Sequence, residues 1–278
     1  MRKFLLILLL SGALLLSAGC GTVVTAADPA ETPPADAEAE QAHQPEDSRD
    51  GAQAAEKAPR VMSRQAFLDA GEDSPVAVEG YVQAKETWRD GCCSLYLQNE
   101  EGAFYLSRMR CSQEEYESLA IGRKVRVNGY KSHWNDSLEI SDASFRLLEG
   151  SMIAEPADVT ALLGSDQLIL HQNEKVRFHG MTVEAMPDGV SVWYSGWDNS
   201  TPAGEDAELW FRASSEGTLC DFTVKPSLCQ NREELLQTLQ QLRAGDRVDL
   251  TGYLRYYNGP LPCITEIIPA DGNLTEPS

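Results

Sequence analysis

Histidine is scarce in this chain, with four residues in 278, and no two of its cysteines stand in a C-x-x-C spacing. A closed zinc site draws its ligands from such spacings, so neither a metal nor a cofactor is expected. Positive charge is also in short supply, with 23 Lys and Arg against 43 Asp and Glu and a formal charge of −20. A polyanion is repelled by that excess except at a local basic patch, and the longest such patch is Gly122-Arg123-Lys124-Val125-Arg126. This disfavours nucleic acid as a partner. No G-x-S-x-G surrounds Ser214-Ser215, and the acidic pairs Glu100-Glu101, Glu114-Glu115 and Glu233-Glu234 fall on predicted turns or helix starts, where carboxylates stabilise helix termini. Without a nucleophile beside a base, or a ligand set, no catalytic residue is assigned and the chain reads as a non-enzyme. Long apolar runs are missing except for one, Phe4 to Leu16.

That run follows Arg2 and Lys3 and ends at Ser17-Ala18-Gly19-Cys20, the pattern of a secretory signal rather than a spanning helix. The small residues leading into Cys20 resemble the bacterial lipoprotein processing box. The resemblance implies lipidation of Cys20 and attachment to the outer face of the cell membrane, in the bacterial envelope. Acyl chains hold by burying methylene groups, each worth about 0.8 kcal/mol. Residues 21–60 carry five Pro, nine acidic residues, three basic ones and no aromatic. Such a segment cannot offset its ordering entropy by burial and is expected to be a disordered spacer.

Two later stretches are alike. Gly122 to Trp134 reads GRKVRVNGYKSHW, and Gly245 to Tyr257 reads GDRVDLTGYLRYY. Each has a Gly, a charged pair, an alternating segment, Gly-Tyr, and an aromatic residue four positions after the Tyr. Upstream of the first copy, Ser63 to Leu68 predicts a short helix, and PVAVEGYVQA predicts a strand with a bend or bulge at Gly80. CSLYLQNEEGAFYLSRM predicts a hairpin turning at Asn99–Gly102. Ser112 with Glu115 three residues on is a capping box, and Gly122 closes the helix it opens. Two strands follow, with Val125, Val127, Leu138 and Ile140 inward. Five strands with a helix between the third and fourth is the arrangement of the OB-fold barrel.

The segments VAVEGYVQA, SLYLQNEEGAFYL and GRKVRVNGYKSHWNDSLEI resemble OB-fold domains of nucleic-acid-binding and bacterial exported classes. Downstream, Gly180 takes the place of Gly80, and the aromatic-rich runs VSVWYSGW and AELWFRAS flank a polar turn. A helix capped by Asn231 carries Leu235, Leu236, Leu239 and Leu242 and is closed by Gly245. The fold class expected is mainly β: two tandem OB-like five-stranded barrels, each with a short helix between strands three and four. The competing arrangement is one larger antiparallel sandwich. The expected division is signal 1–20, spacer 21–60, first OB-like domain 61–155, connector 156–172, second domain 173–270 and flexible tail 271–278.

Apart from Cys20, the cysteines divide three and three: Cys92, Cys93 and Cys111, then Cys220, Cys229 and Cys263. Outside the cytoplasm disulfides persist. One bridge per half is expected, Cys111 with Cys92 or Cys93, and Cys229 with Cys220 or Cys263. On an OB-fold, ligands cross the face around strands two and three, flanked by the one-two and four-five loops. The resemblance thus nominates Trp88, Tyr96, Tyr105, Tyr130, His133 and Trp134 in the first half. In the second it nominates Trp193, Trp197, Tyr253 and Tyr257, with Tyr194, Trp210 and Tyr256 beside them. Strand alternation puts one of each adjacent aromatic pair inside. The reading is a non-catalytic, membrane-anchored module binding a protein, peptide or glycan. The alternatives are a single-stranded nucleic-acid binder and an envelope enzyme.

Overall fold

A computed structural model describes residues 60–200, 202 and 207–270. The signal, Cys20, the spacer up to residue 59 and the tail 271–278 lie outside these residues. Among the described residues no helix is long and apolar enough to cross a membrane.

The first half opens with helix α1 (Arg64–Asp69), where the Ser63 hydroxyl accepts from the Ala66 amide. Strands β1 (Pro75–Lys85), β2 (Cys92–Asn99) and β3 (Gly102–Arg110) follow, then α2 (Gln113–Ser118), β4 (Arg123–Trp134) and β5 (Ser137–Ser151). Ser112 and Glu115 complete the expected capping box. The strands close into a barrel in the order β1-β2-β3-β5-β4. Alternation builds its core: Val76, Val78, Leu95, Leu97, Phe104, Leu106, Val125, Val127 and Ile140 are fully buried. Helix α1 stoppers the barrel with Phe67, edge-on to Phe104 at 5.2 Å. Its C-terminal carbonyls, Leu68 and Ala70, each accept from Lys131 Nζ at 2.6 Å. A cation there complements the negative end of the helix. That is why this lysine is buried on β4.

The second half does not form a second five-stranded barrel. Strands β6 (Ala157–Asp158), β7 (Lys175–Glu184), β8 (Trp193–Ser195), β9 (Leu209–Ser215) and β10 (Thr218–Val224) precede helix α3 (Arg232–Gln241), and β11 (Arg247–Tyr253) and β12 (Cys263–Pro269) follow it. They make a seven-stranded sheet in the order β6-β7-β11-β12-β10-β9-β8, with an additional β7–β9 pairing. The reason lies on β9. Its C-terminal part, Arg212–Ser214, pairs with the end of β7, while its N-terminal part, Leu209–Phe211, pairs with β8. β7 stops at Glu184, so a further strand completes that edge. Two extra strands, β6 and β8, thus turn the expected barrel into a larger sheet. The inner elements β7, β9, β10, α3, β11 and β12 still follow one another as β1, β2, β3, α2, β4 and β5 do. Of the run VSVWYSGW only Trp193–Ser195 is strand. Asn231 stands at the cap of α3 without a side-chain hydrogen bond. Gly80 is not a bulge: the β1–β4 ladder passes through it in register with Val125, whereas Gly180 is left-handed at φ +60°.

The Gly-Tyr of the two like stretches now has a physical basis. A Cβ on Gly129 would meet Ile140 Cγ2 at 2.6 Å and the Ser141 carbonyl at 2.7 Å. One on Gly252 would meet the Cys263 carbonyl at 2.1 Å. Each glycine sits where the ladder to the next strand, β5 or β12, slips register. The close approach of those backbones requires a residue without a side chain.

The halves meet through a small core of Ala84, Tyr96, Leu228, Tyr253 and Cys263. Tyr253 stacks on Tyr96 with ring centroids 4.6 Å apart, and its hydroxyl donates to the Gln83 carbonyl at 2.8 Å. Asn173 Nδ2 donates to the Leu138 carbonyl at 2.9 Å, and Gln172 Nε2 to that of Asp136 at 2.7 Å.

Candidate ligand-binding cleft

The junction opens on one side into a cleft of about 1050 Å³. Strand alternation decides what faces it. On β3, Phe104 and Leu106 point into the barrel, so Tyr105 and Ser107 point outward to the cleft. On β9, Leu209, Phe211 and Ala213 fill the second core, which turns Glu208, Trp210 and Arg212 to the cleft. Asp221 does the same on β10 between buried Cys220 and Phe222. Ser137 and Glu139 come from the start of β5, and Tyr194 and Trp197 from β8 and the loop after it.

The like stretches converge at its mouth. Trp134 ends β4, and Tyr257 holds the equivalent place after β11; their rings lie 5.2 Å apart, tilted by 58°. The Asn258 amide donates to the Asn135 carbonyl at 3.1 Å and pins the two loops together. Trp134 is 61% exposed, Tyr257 37% and Trp197 73%. Large rings held this open offer flat faces to a ligand.

Each cation on the cleft wall has a carboxylate partner. Arg212 Nε meets Asp221 Oδ1 at 2.6 Å, Lys225 Nζ meets Glu86 Oε1 at 2.7 Å, and Arg255 Nη2 meets Glu208 Oε1 at 3.0 Å. Burial works most strongly against the charge on Arg255, yet Glu208 together with Cys263, Tyr96 and Tyr105 outweighs it and holds the guanidinium above its ordinary pKa. Tyr105 reaches the same Glu86 at 3.4 Å, and burial, then that carboxylate, pushes its phenol pKa up. Arg255 Nε is buried without a hydrogen-bond partner among the described residues.

Of the residues nominated from sequence, the cleft brings together Tyr105, Trp134, Trp197 and Tyr257, with Tyr194, Trp210 and Tyr256. The others serve the fold or stand elsewhere. Trp88 packs on the barrel core and donates its indole N–H to the Cys111 carbonyl at 2.9 Å. Tyr96 and Tyr253 are the buried stack at the junction, and Trp193 packs against the second core. Tyr130 is exposed away from the cleft. His133 Nδ1 is hydrogen-bonded to Glu72. Glu139, Glu208 and Arg255 were not nominated. No local pattern distinguishes them; the second half's own fold pairs Arg255 with Glu208, and only the meeting of the two halves puts Glu139 in the same cleft.

The six described cysteines are unbridged. Cys93 Sγ and Cys111 Sγ lie 3.5 Å apart, whereas Cys229 Sγ turns to the Lys225 and Ile264 carbonyls. Among the described residues no three metal-ligating side chains cluster.

No family model and no curated protein matches the chain. Solved structures do. A hypothetical protein from E. coli, ygiW, is 15% identical with a TM-score of 0.25, and the match covers 32% of this chain and 91% of that one. A murine DNA binding protein bound with double-stranded DNA is 12% identical with a TM-score of 0.35, covering 74% of this chain and 98% of that one. A replication protein A heterotrimer bound to single-stranded DNA is 8% identical with a TM-score of 0.26, covering 76% and 69%. The strand order of the barrel and the helix between β3 and β4 are those of the OB fold. One expectation is corrected: nucleic acid is not set aside as a partner. The physical reason is screening: charges beyond about 8 Å matter little at physiological salt, so a net charge does not decide what one cleft accepts.

Proposed function

We propose that this chain is a non-catalytic binding module, tethered to the membrane through a lipidated Cys20, that takes its ligand by stacking in the cleft between its halves. The observation that carries this reading is the Trp134–Tyr257 pair, two exposed rings set side by side at the cleft mouth by equivalent places in two like stretches. Exposing such rings costs hydrophobic free energy that burial elsewhere would recover, and stacking a ligand on a ring is worth about 1–3 kcal/mol per face. The junction beneath is fixed by packing and hydrogen bonds, so the rings are presented on rigid elements.

A second reading, single-stranded nucleic acid as the ligand, has its own support. Arg212, Lys225 and Arg255 line the same cleft as the rings, and the cleft lies on the β3 and β4–β5 loop side of the barrel, where OB-folds bind ligands. Tryptophan fluorescence of the full chain, titrated with a panel that includes oligothymidylate, tests both. Trp134→Ala and Tyr257→Ala are expected to abolish ligand response while leaving the melting temperature unchanged. A ligand whose binding is indifferent to both substitutions would sink the stacking reading. Tethering is tested separately: Cys20→Ala is expected to leave a soluble or unprocessed form, and mature-sized variant retained equally in washed membranes would count against the lipid anchor.

A further inference from the structure

Resting on the stacking reading, the charge balance of the cleft narrows the ligand further. Three cations line it, and three carboxylates, Asp221, Glu86 and Glu208, already hold them. Two lining carboxylates are left over, Glu139 and Asp198. Asp198 sits in the loop and accepts from the Ser200 amide. Glu139 is different. The residue is only 8% exposed, it lines the cleft from the start of β5, and its carboxylate makes neither an ion pair nor a hydrogen bond among the described residues; its oxygens are not sealed from solvent and open to the cleft. A carboxylate that opens into a cleft beside aromatic faces is a ready counter-ion for a bound cation. Its neighbour Ser132 across the β4–β5 ladder brings no cation, and Tyr105, close enough to feel its charge, is a phenol held protonated.

We infer that the cleft binds a small organic cation bearing an ammonium group, with Glu139 as its counter-ion and Trp134, Tyr257 and Tyr105 as its ring walls. Aromatic faces attract ammonium groups through the negative face of the ring, and the attraction grows when water is excluded. The lining of the cleft joins both elements: a carboxylate without an ion pair among the described residues, and exposed aromatic rings. The volume, about 1050 Å³, is ample for a small ligand.

The test is calorimetric titration of the full chain with choline, with its neutral isostere 3,3-dimethylbutanol, and with oligothymidylate. Choline is expected to bind saturably, about tenfold or more tighter than the isostere. Glu139→Gln, which keeps the shape, is expected to weaken choline by about tenfold while leaving the isostere unaffected. Trp134→Ala is expected to weaken both ligands. Equal affinity for choline and the isostere, or a Glu139→Gln variant that binds choline as before, overturns the cation assignment. Oligothymidylate bound in a Trp134-dependent way, with no choline bound, also overturns it but leaves the stacking module standing. If nothing in the wider panel binds in a Trp134-dependent way, both fail.

Discussion

Replacing Tyr253 with Phe removes one oxygen atom from the junction and leaves the ring in place. The hydroxyl donates to the Gln83 carbonyl at 2.8 Å in buried surroundings. Gln83 lies in the register break between Val82 and Ala84, where the β1–β2 ladder skips it. Its carbonyl therefore depends on a partner from outside the sheet. Leaving a buried acceptor unsatisfied costs about 1–3 kcal/mol. For a folded region of this size that is a fall in melting temperature of about 2–4 °C per kcal/mol. Tyr253→Ala should cost more, about 3–5 kcal/mol, because the stack on Tyr96 at 4.6 Å is lost and a cavity is left. The assay is urea unfolding followed by tryptophan fluorescence and far-ultraviolet dichroism together. Tyr257→Phe is the control, since that residue is part-exposed and its hydroxyl makes no hydrogen bond with described residues; it should change stability by less than about 0.5 kcal/mol. If Tyr253→Phe is as silent as that control, the junction is not held by this bond and the argument is wrong. Tyr253→Ala should also split the unfolding curve, the two probes ceasing to coincide as the halves uncouple.

Gly252→Ala should destabilise by about 1–3 kcal/mol or prevent folding, because its Cβ would sit 2.1 Å from the Cys263 carbonyl; wild-type melting would show that β12 can move away. Alkaline pH should destabilise the fold. Burial raises the phenol pKa of Tyr96, Tyr105 and Tyr253, so the unfolded chain ionises first; their contribution is intact below about pH 10 and is lost as pH rises toward the folded values. Removing one of them, by Tyr253→Phe, should make the fall in stability above pH 10 shallower, and an unchanged slope would count against this. Under a mild thiol oxidant, Cys93 and Cys111 should bridge before any other pair, slowly at neutral pH because burial keeps both thiols protonated. Non-reducing peptide maps that show Cys92 in the first bridge would refute the pairing.

The barrel and its helices were legible in the sequence because the information is local. Alternation at Val76–Val78, Leu95–Leu97 and Val125–Val127 specifies which face is buried, and Ser112 with Glu115 specifies where α2 begins. The inner elements of the second half follow the same cues. Its enlargement into seven strands does not, since β6 and β8 are two and three residues long and exist only because β7 and β9 offer them free edges. Alternation also foretold that one of Tyr256 and Tyr257 would be inside, and the structure buries Tyr256. Alternation could not tell Tyr253 from Tyr130, which occupy the same place in the two stretches: one is sealed against Tyr96 by the facing half, the other is open to solvent. For the same reason Glu139 looked like any alternating strand residue. Its place in one cleft with Tyr257, like the pairing of Arg255 with Glu208, arises only when segments more than forty residues apart are packed together. Charge compensation depends on distance in space, and a linear pattern carries none.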